Sequence, residues 1–338
     1  VRILLTGGAG FIASNFCHYW HEKYPKDKIV IIDKFSYAAS WDNLYPLLDP
    51  YTDQINYDTF QNGQTTLWFL DLSVIRALPD YEFDFIINFA AETHVDNSIS
   101  SPRPFVDNNV TGFFNLLEIC RERQIKLYHI STDEVLQHHG PVPMTDRGKL
   151  FFFRIYEDTD YDDEGWTNPT YKPSSVYSAT KAAQEMLVHA YRKTYDLDID
   201  IIRLTNQYGP RQHREKLIPL VITKALAGEK IPVYKDGKQW RDWTYVEDSC
   251  EALDLITQQN QKNETWHIAA NNETQNIDII HTLLDKLGAS RDLIEFVEDR
   301  KGHDQSYSLA CTKVTNLGWK PKTSLSDGID KTIAWYKE

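Results

Sequence analysis

The chain has 338 residues, 41% of them apolar and 25% charged, an ordinary globular composition and enough length for one large domain or two smaller ones. A formal net charge of −13 excludes a generic nucleic-acid binder, which needs a basic surface, but leaves room for a small anionic ligand held by local Lys and Arg. No apolar run approaches the roughly 18 residues of a membrane span, and the opening VRILLTGGAG reads as part of the fold, too short and glycine-rich for a signal peptide.

RILLT (2–6) predicts a buried strand, GGAG a tight turn, and the residues to about Tyr24 a helix. KIVIID (28–33) predicts a second strand, and TLWFLDL (66–72), FDFIINFA (83–90) and IKLYHIS (125–131) predict three more. Between and after them, PFVDNNVTGFFNLLEICRER (104–123) and SSVYSATKAAQEMLVHAYRKTY (174–195) carry helical apolar spacing. Continuous apolar strands alternating with amphipathic helices predict an α/β fold, a Rossmann-type doubly wound parallel sheet covered on both faces. Beyond about 205 the pattern shortens: IPVY, WRDWTYV and ETWHIAA among short helices suggest a smaller C-terminal α/β unit. The expected division is 1–205 with about 241–270 as the dinucleotide-binding domain, and 206–240 with 271–338 as the ligand-binding domain. The acidic, Pro-, Gly- and aromatic-rich segment 139–174 is either a loop on the active-site side or a tolerated surface insertion. Four scattered cysteines, Cys17, Cys120, Cys250 and Cys311, contain no CxxC and read as buried free thiols of a reducing, cytoplasmic compartment.

Gly7-x-x-Gly10-x-x-Ala13 follows the first strand and opens the first helix. Glycines there let the backbone approach a pyrophosphate at a helix N-terminus, and Ala13 is small enough for the helix–strand contact at the third position. Asp33 ends the second strand, where an acid can bind a ribose 2′-hydroxyl and repel a 2′-phosphate, so NAD is expected over NADP despite the adjacent Lys34. Asp71 is either a contact for the adenine edge or a strand-end cap. In STDEV (131–135) the strand 125–131 ends on Thr132, Asp133 and Glu134, a hydroxyl and two neighbouring acids that are poor strand formers. Tyr177 and Lys181, four apart on a helix, face one side. A nearby ammonium and a nicotinamide cation would favour a phenolate able to take a proton from a sugar hydroxyl. The His138–His139 pair lacks a third ligand and is read as solvated, so no metal is expected.

TGGAGFIASN, IIDKFSYA, NFAAETHVDNSI, ISTDEV, YSATKAA, NQYGPRQHREKLIPLVITKALAG, IPVYKDGKQWRDWTYVED and DRKGHDQSY together resemble the extended short-chain dehydrogenase/reductase family, and within it the nucleotide-sugar 4,6-dehydratases. The resemblance runs nearly end to end. It implies C4 oxidation by tightly bound, recycled NAD with Tyr177 as base and Lys181 beside it. It further implies C5 proton removal by Glu134, proton donation by Asp133 to the departing C6 hydroxyl, and a Thr132 hydrogen bond to the sugar 4-oxygen. Acid and base on adjacent carbons explain why two carboxyls are wanted; the pair should titrate as a coupled unit, with Asp133 holding its proton.

On the cofactor side the resemblance implies Gly7, Gly10, Phe11 and Ile12, then Asp33, Lys34, Asp71 and Leu72, then Ala90, Ala91 and Gln207. On the substrate side it implies Thr93, Asn206, Lys216 and Leu217, Pro232 and Tyr234 at the base, and Arg241, Asn272, Arg300 and His303. The implied substrate is dTDP-glucose ahead of UDP-glucose. The alternatives are a sugar-nucleotide 4-epimerase or decarboxylase, against which Asp133–Glu134 speaks, and a non-catalytic dinucleotide-binding scaffold. A homodimer is implied through a four-helix bundle of the helices around 102–122 and 174–195. The chain departs from the family pattern at Ala13, at Gln207 where a second Asn is usual, and at LQHHG (136–140), where Tyr-Gly is usual.

Overall fold

The structure, a computed structural model, describes residues 1–137, 142–143, 150–151, 154–155 and 170–338. His138, His139 and most of the 139–174 segment lie outside the described residues.

β1 (Arg2–Thr6) leads into α1 (Phe11–Lys23), then β2 (Lys28–Asp33). A hairpin of β3 (Gln54–Asn56) and β4 (Thr59–Asn62) runs antiparallel beside β5 (Thr65–Phe69). After β6 (Phe85–Asn88) come α2 (Val95–Ser100), α3 (Arg103–Phe105), a π-helical stretch Val106–Gly112, and α4 (Phe113–Arg123). β7 (Lys126–Thr132) ends on the acid pair, and the short β8 (Val142–Pro143) and β9 (Leu150–Phe151) pair with each other. α5 (Val176–Tyr195) starts from a Ser175–Ser178 capping box and leads to β10 (Ile199–Leu204). The rest comprises β11 (Asn206–Tyr208), α6 (Leu217–Ala227), β12 (Ile231–Tyr234), β13 (Trp240–Tyr245), α7 (Val246–Thr257) and β14 (Thr265–Ile268). It closes with β15 (Glu273–Gln275), α8 (Asn276–Leu287), β16 (Ile294–Val297), α9 (Thr312–Asn316) and α10 (Leu325–Lys337).

Among the described residues the main sheet has nine strands in the order β14-β10-β7-β6-β1-β2-β5-β4-β3, paired in parallel except at β5–β4 and β4–β3. β1, β2, β7 and β10 are buried along almost their whole length, as an apolar strand covered on both faces must be. This is the doubly wound Rossmann-type sheet that the alternation predicts. The chain winds one way from β1 to β2 and the other way to β6. The loops after β1 and β6 therefore part at the carboxyl edge, where such sheets take ligands.

One core layer packs Phe16, Trp20, Ile256 and Trp266 on the α1/α7 face, and a second packs Phe113, Leu116, Val188 and Tyr191 on the α4/α5 face. A third core, with Tyr208, Ile222, Ile279, Leu283 and Ile333, belongs to the smaller C-terminal unit. Of residues 241–270, assigned from sequence to the first unit, α7 and β14 pack there. Trp243 and Tyr245 sit in the third core, because β13 pairs with β11 and β15. Leu309, Cys311, Val314 and Trp319 return to the first core. All four cysteines are buried free thiols, and no described helix is long and apolar enough to cross a membrane.

Candidate active site

The turn between β1 and α1 fits a dinucleotide by exclusion of side chains. Gly7 has φ +70, and a Cβ there would lie 2.8 Å from the backbone of Ala90 at the end of β6. No side chain caps α1, whose N-cap is Gly10, so its first N–H groups face the crevice. Asp33 accepts from the Ala9 N–H at 2.9 Å and the Phe35 N–H at 2.8 Å. Each oxygen keeps a second lone pair, so the carboxylate can hold the loop and still accept from a ribose hydroxyl. Burial raises its pKa, against the backbone N–H groups that favour the charge. Lys34 pairs with Asp71 at 3.2 Å and gives a hydrogen bond to Asn108 at 2.5 Å. Asp71 also accepts from the Ser73 N–H at 2.8 Å, as a strand-end cap does, while lining the same cavity.

That cavity, about 300 Å³, runs along the carboxyl edge from the glycine turn to Lys216. It brings together every expected cofactor residue, the five expected catalytic residues, and Thr93, Asn206 and Lys216. Leu217, Pro232, Tyr234, Arg241, Asn272, Arg300 and His303 lie outside its wall, on the smaller unit. Arg300, Arg241 and Lys216 nevertheless stand close enough to act on Glu134, so the cations border the acid pair from that side. Lys216 donates to the Thr93 carbonyl at 3.0 Å. Tyr234 donates to Asp96 at 2.9 Å and meets the His303 ring edge-on at 5.8 Å. Asp299 holds His303 at 2.6 Å, though burial takes its pKa down to about 4. The Arg241 guanidinium lies over the Tyr307 ring at 4.4 Å. Asp242 accepts from the backbone N–H groups of Asn271 and Asn272, fixing the turn that carries Asn272.

Thr132 caps a single 3-10 turn, Asp133–Val135, by accepting from the Glu134 N–H at 3.4 Å, and its hydroxyl reaches Asp133 at 3.1 Å. Asp133 is 2% exposed. Burial and then the neighbouring Glu134 charge lift its carboxyl well above its ordinary range. Burial also raises Glu134, but Arg300, Arg241 and Lys216 oppose the shift. The enclosed Glu134 Oε2 has no hydrogen-bond partner among the described residues. Burial thus pushes both carboxyls toward the proton, Asp133 further than Glu134, because three cations offset part of the burial at Glu134.

Tyr177 and Lys181 both line the cavity from the first turns of α5. Burial raises the Tyr177 phenol, with Glu134 and Asp133 adding to it and the Thr132 hydroxyl working the other way. Lys181 donates to the Ile130 carbonyl at 2.6 Å. Burial brings its amine down to about 7, with Glu185 the charge that opposes the fall. Gln207 turns its amide oxygen toward Ser249, 2.5 Å away, so this departure from the family pattern is absorbed by α7.

Several further residues around the same wall carry no motif of their own. Asn108 comes from the π-helical stretch, and its neighbour Asn109, fully buried, is not itself part of the wall. Asn109 ties α5 to the loop after β6, donating to Thr180 at 2.9 Å and accepting from the Glu92 N–H at 2.8 Å. The double Asn in the middle of a helical run was the available signal. Glu92, His213 and Glu215 also line the cavity, and only the motifs around them hint at it. Among the described residues no cluster of three or more His, Cys, Asp or Glu is placed to hold a metal.

A dinucleotide turn at the switch point, a Tyr/Lys pair on α5 and a polar carboxyl edge define an enzyme of the extended short-chain dehydrogenase/reductase class. The comparisons narrow this. The family model described as GDP-mannose 4,6 dehydratase matches residues 4–332, and the chain belongs to that family. It is a nucleotide-sugar 4,6-dehydratase, a hydro-lyase. It is 40% identical to the low-salt glycan biosynthesis protein Agl12 of Haloferax volcanii, over 99% of this chain and 98% of that protein. It is 35% identical to the dTDP-glucose 4,6-dehydratase of Salmonella typhimurium, over 99% of this chain and 92% of that one. The crystal structure of DesIV, a dTDP-glucose 4,6-dehydratase from Streptomyces venezuelae with NAD and TYD bound, superposes with a TM-score of 0.84 at 33% identity. That match covers 100% of this chain and 97% of DesIV.

Proposed function

We propose that the chain converts dTDP-glucose to dTDP-4-keto-6-deoxyglucose and water, with NAD bound throughout. The observation that carries this reading is the pair of adjacent carboxyls, Asp133 and Glu134, held unequally at the end of β7 beside Tyr177. Relatives that share this chain's full length and act on dTDP-glucose favour that nucleotide over UDP or GDP.

The glycine turn, Asp33 and the Lys34–Asp71 pair would hold NAD, which would supply the hydride acceptor for C4 and, once reduced, the donor for C6. Thr132 positions the sugar 4-oxygen, and Tyr177, whose phenolate a nicotinamide cation would favour against the burial that raises it, takes the proton of the 4-hydroxyl. The carbonyl left at C4 acidifies the C5 proton, which Glu134 removes, its charge supported by Arg300, Arg241 and Lys216, and which Glu134 returns to C5 when hydride reaches C6. Asp133, whose burial holds its proton, gives it to the departing C6 hydroxyl. Lys216, Arg241 and Arg300 serve the diphosphate, and Pro232, Tyr234 and His303 the base end. Asn206 and Asn272 are further sugar-nucleotide contacts.

The test is direct. The purified chain, with NAD, is incubated separately with dTDP-glucose, UDP-glucose and GDP-mannose, and the alkali-developed absorbance of a 4-keto-6-deoxy sugar is read. Product from dTDP-glucose at the highest kcat/KM supports the proposal. Faster turnover of another nucleotide overturns the substrate, and no product from any overturns the reaction.

The proposal extends to a cytoplasmic homodimer. Val106 and Phe114, on the 103–123 helical run, are each 44% exposed, and Met186 on α5 is 46% exposed. Apolar side chains facing outward from two packed helices are what a bundle with a second copy would cover.

A further inference from the structure

Glu185 lies one helical turn beyond Lys181 on α5 and is fully buried, as is Arg203 of β10. The two form an ion pair, with Arg203 Nη2 2.7 Å from Oε2 and Nε 3.1 Å from Oε1. Two hydroxyls complete the set: Ser131 Oγ donates to Oε1 at 2.5 Å, and the Tyr171 hydroxyl donates to Oε2 at 2.6 Å. Their places in the chain matter. Ser131 directly precedes Thr132, Asp133 and Glu134. Tyr171 is bridged antiparallel to Leu136, just past them. The Gln137 N–H donates to the Thr170 carbonyl at 2.8 Å, and the Lys172 N–H to the Val135 carbonyl at 3.0 Å. One carboxylate therefore grips the chain on the entry side of the acid pair and, through the returning strand, on its exit side.

A buried ion pair returns little net stability, because desolvation cancels most of its attraction, and apolar residues would fill the same volume as well. What the charged set adds is direction. Glu185 fixes the strand end to the helix that carries Tyr177 and Lys181, and Lys181 itself donates to the Ile130 carbonyl of that strand at 2.6 Å. We propose that Glu185 is the positioning residue of the acid–base pair, clamping both flanks of Asp133–Glu134 through Ser131 and Tyr171 and so registering the pair against Tyr177. This rests on the dehydratase reading above.

Single-hydroxyl deletions, Tyr171→Phe and Ser131→Ala, test it while leaving the Glu185–Arg203 pair in place. In each, backbone amide exchange over 133–137 should speed by about tenfold or more, with the rest of β7 protected as in the parent and the melting temperature nearly unchanged. The kcat for dehydration should fall by about tenfold or more with KM within about twofold, since displacements near 1 Å can cost ~10²-fold. The double variant should lose less than the product of the two single losses, because both act through one carboxylate. Unchanged exchange at 133–137 overturns the clamp whatever happens to kcat. Faster exchange with kcat retained within twofold overturns the positioning role, and faster exchange throughout with a lowered melting temperature reduces the cluster to a structural one. The exchange measurement needs no substrate, so a parent chain inactive on every nucleotide hexose would sink the dehydratase reading while the clamp is still decided.

Discussion

Asp133 and Glu134 differ by one position and by what surrounds them, and that difference assigns their work. Glu134→Gln removes the C5 base and should cut product formation by roughly 10²–10⁴-fold, the range for a positioned proton-transfer group, and stop deuterium exchange at C5. Asp133→Asn should slow water loss while C4 oxidation stays detectable as nicotinamide absorbance. A variant that blocked C4 oxidation outright would reverse this division of labour. The same burial has a consequence for stability. Asp133 holds its proton far above its ordinary 3.8 in the folded chain. Between that value and the raised one the folded state binds more protons than the unfolded state, so stability falls as pH rises through the interval. Asp133→Asn should therefore raise the melting temperature at neutral pH and lose that advantage below the ordinary carboxyl range. A melting series from pH 3 to 8 that showed no such crossover would contradict the buried, protonated acid. These residues were legible in sequence because STDEV and YSATK are contiguous motifs. Glu185 was not, because Ser131 lies 54 residues away in the chain and Arg203 comes from a third element.

At the scale of elements, the turn after β1 was readable because its requirement is local: a positive φ and a backbone approach that only glycine allows. Gly7→Ala should abolish stoichiometric NAD retention after gel filtration, since the added carbon meets the Ala90 backbone at 2.8 Å. Retention at the parent level would show that the turn relaxes. The contact between α1 and α7 was only partly readable, because beside its apolar core it carries one buried acid. Asp254, 1% exposed, accepts from the Tyr19 and Tyr24 hydroxyls, the Lys23 ammonium and Gln258, stitching the two helices on one face of the sheet. Asp254→Ala leaves those donors without a common acceptor and should cost roughly 1–3 kcal/mol, read as an earlier urea midpoint at unchanged slope. The π-helical stretch Val106–Gly112 escaped sequence reading as well. Its residues have ordinary helical spacing, and the altered winding shows only in the folded backbone, where Asn109 also bonds Glu92 and Thr180.

For the whole molecule, alternation of apolar strands and amphipathic helices predicted the sheet. The interleaving of the units it could not show, since β13 joins the smaller sheet while α7, which follows at once, returns to the larger. Amphipathic periodicity has a further ambiguity: an apolar stripe does not say whether it faces the sheet or another copy. In α4 the structure separates the two, with Phe113, Leu116 and Leu117 in the sheet-side core and Phe114 turned outward. Two packed helices that still expose Val106, Phe114 and Met186 leave an apolar face a second copy would bury. Phe114→Glu puts a charge into the centre of that contact, where desolvation has no compensating partner. Sedimentation velocity at micromolar concentration should give a species of twice the chain mass for the parent and a monomer for the variant, with far-UV circular dichroism unchanged. A monomeric parent would remove the dimer, and a variant that stayed dimeric would place the contact on another face.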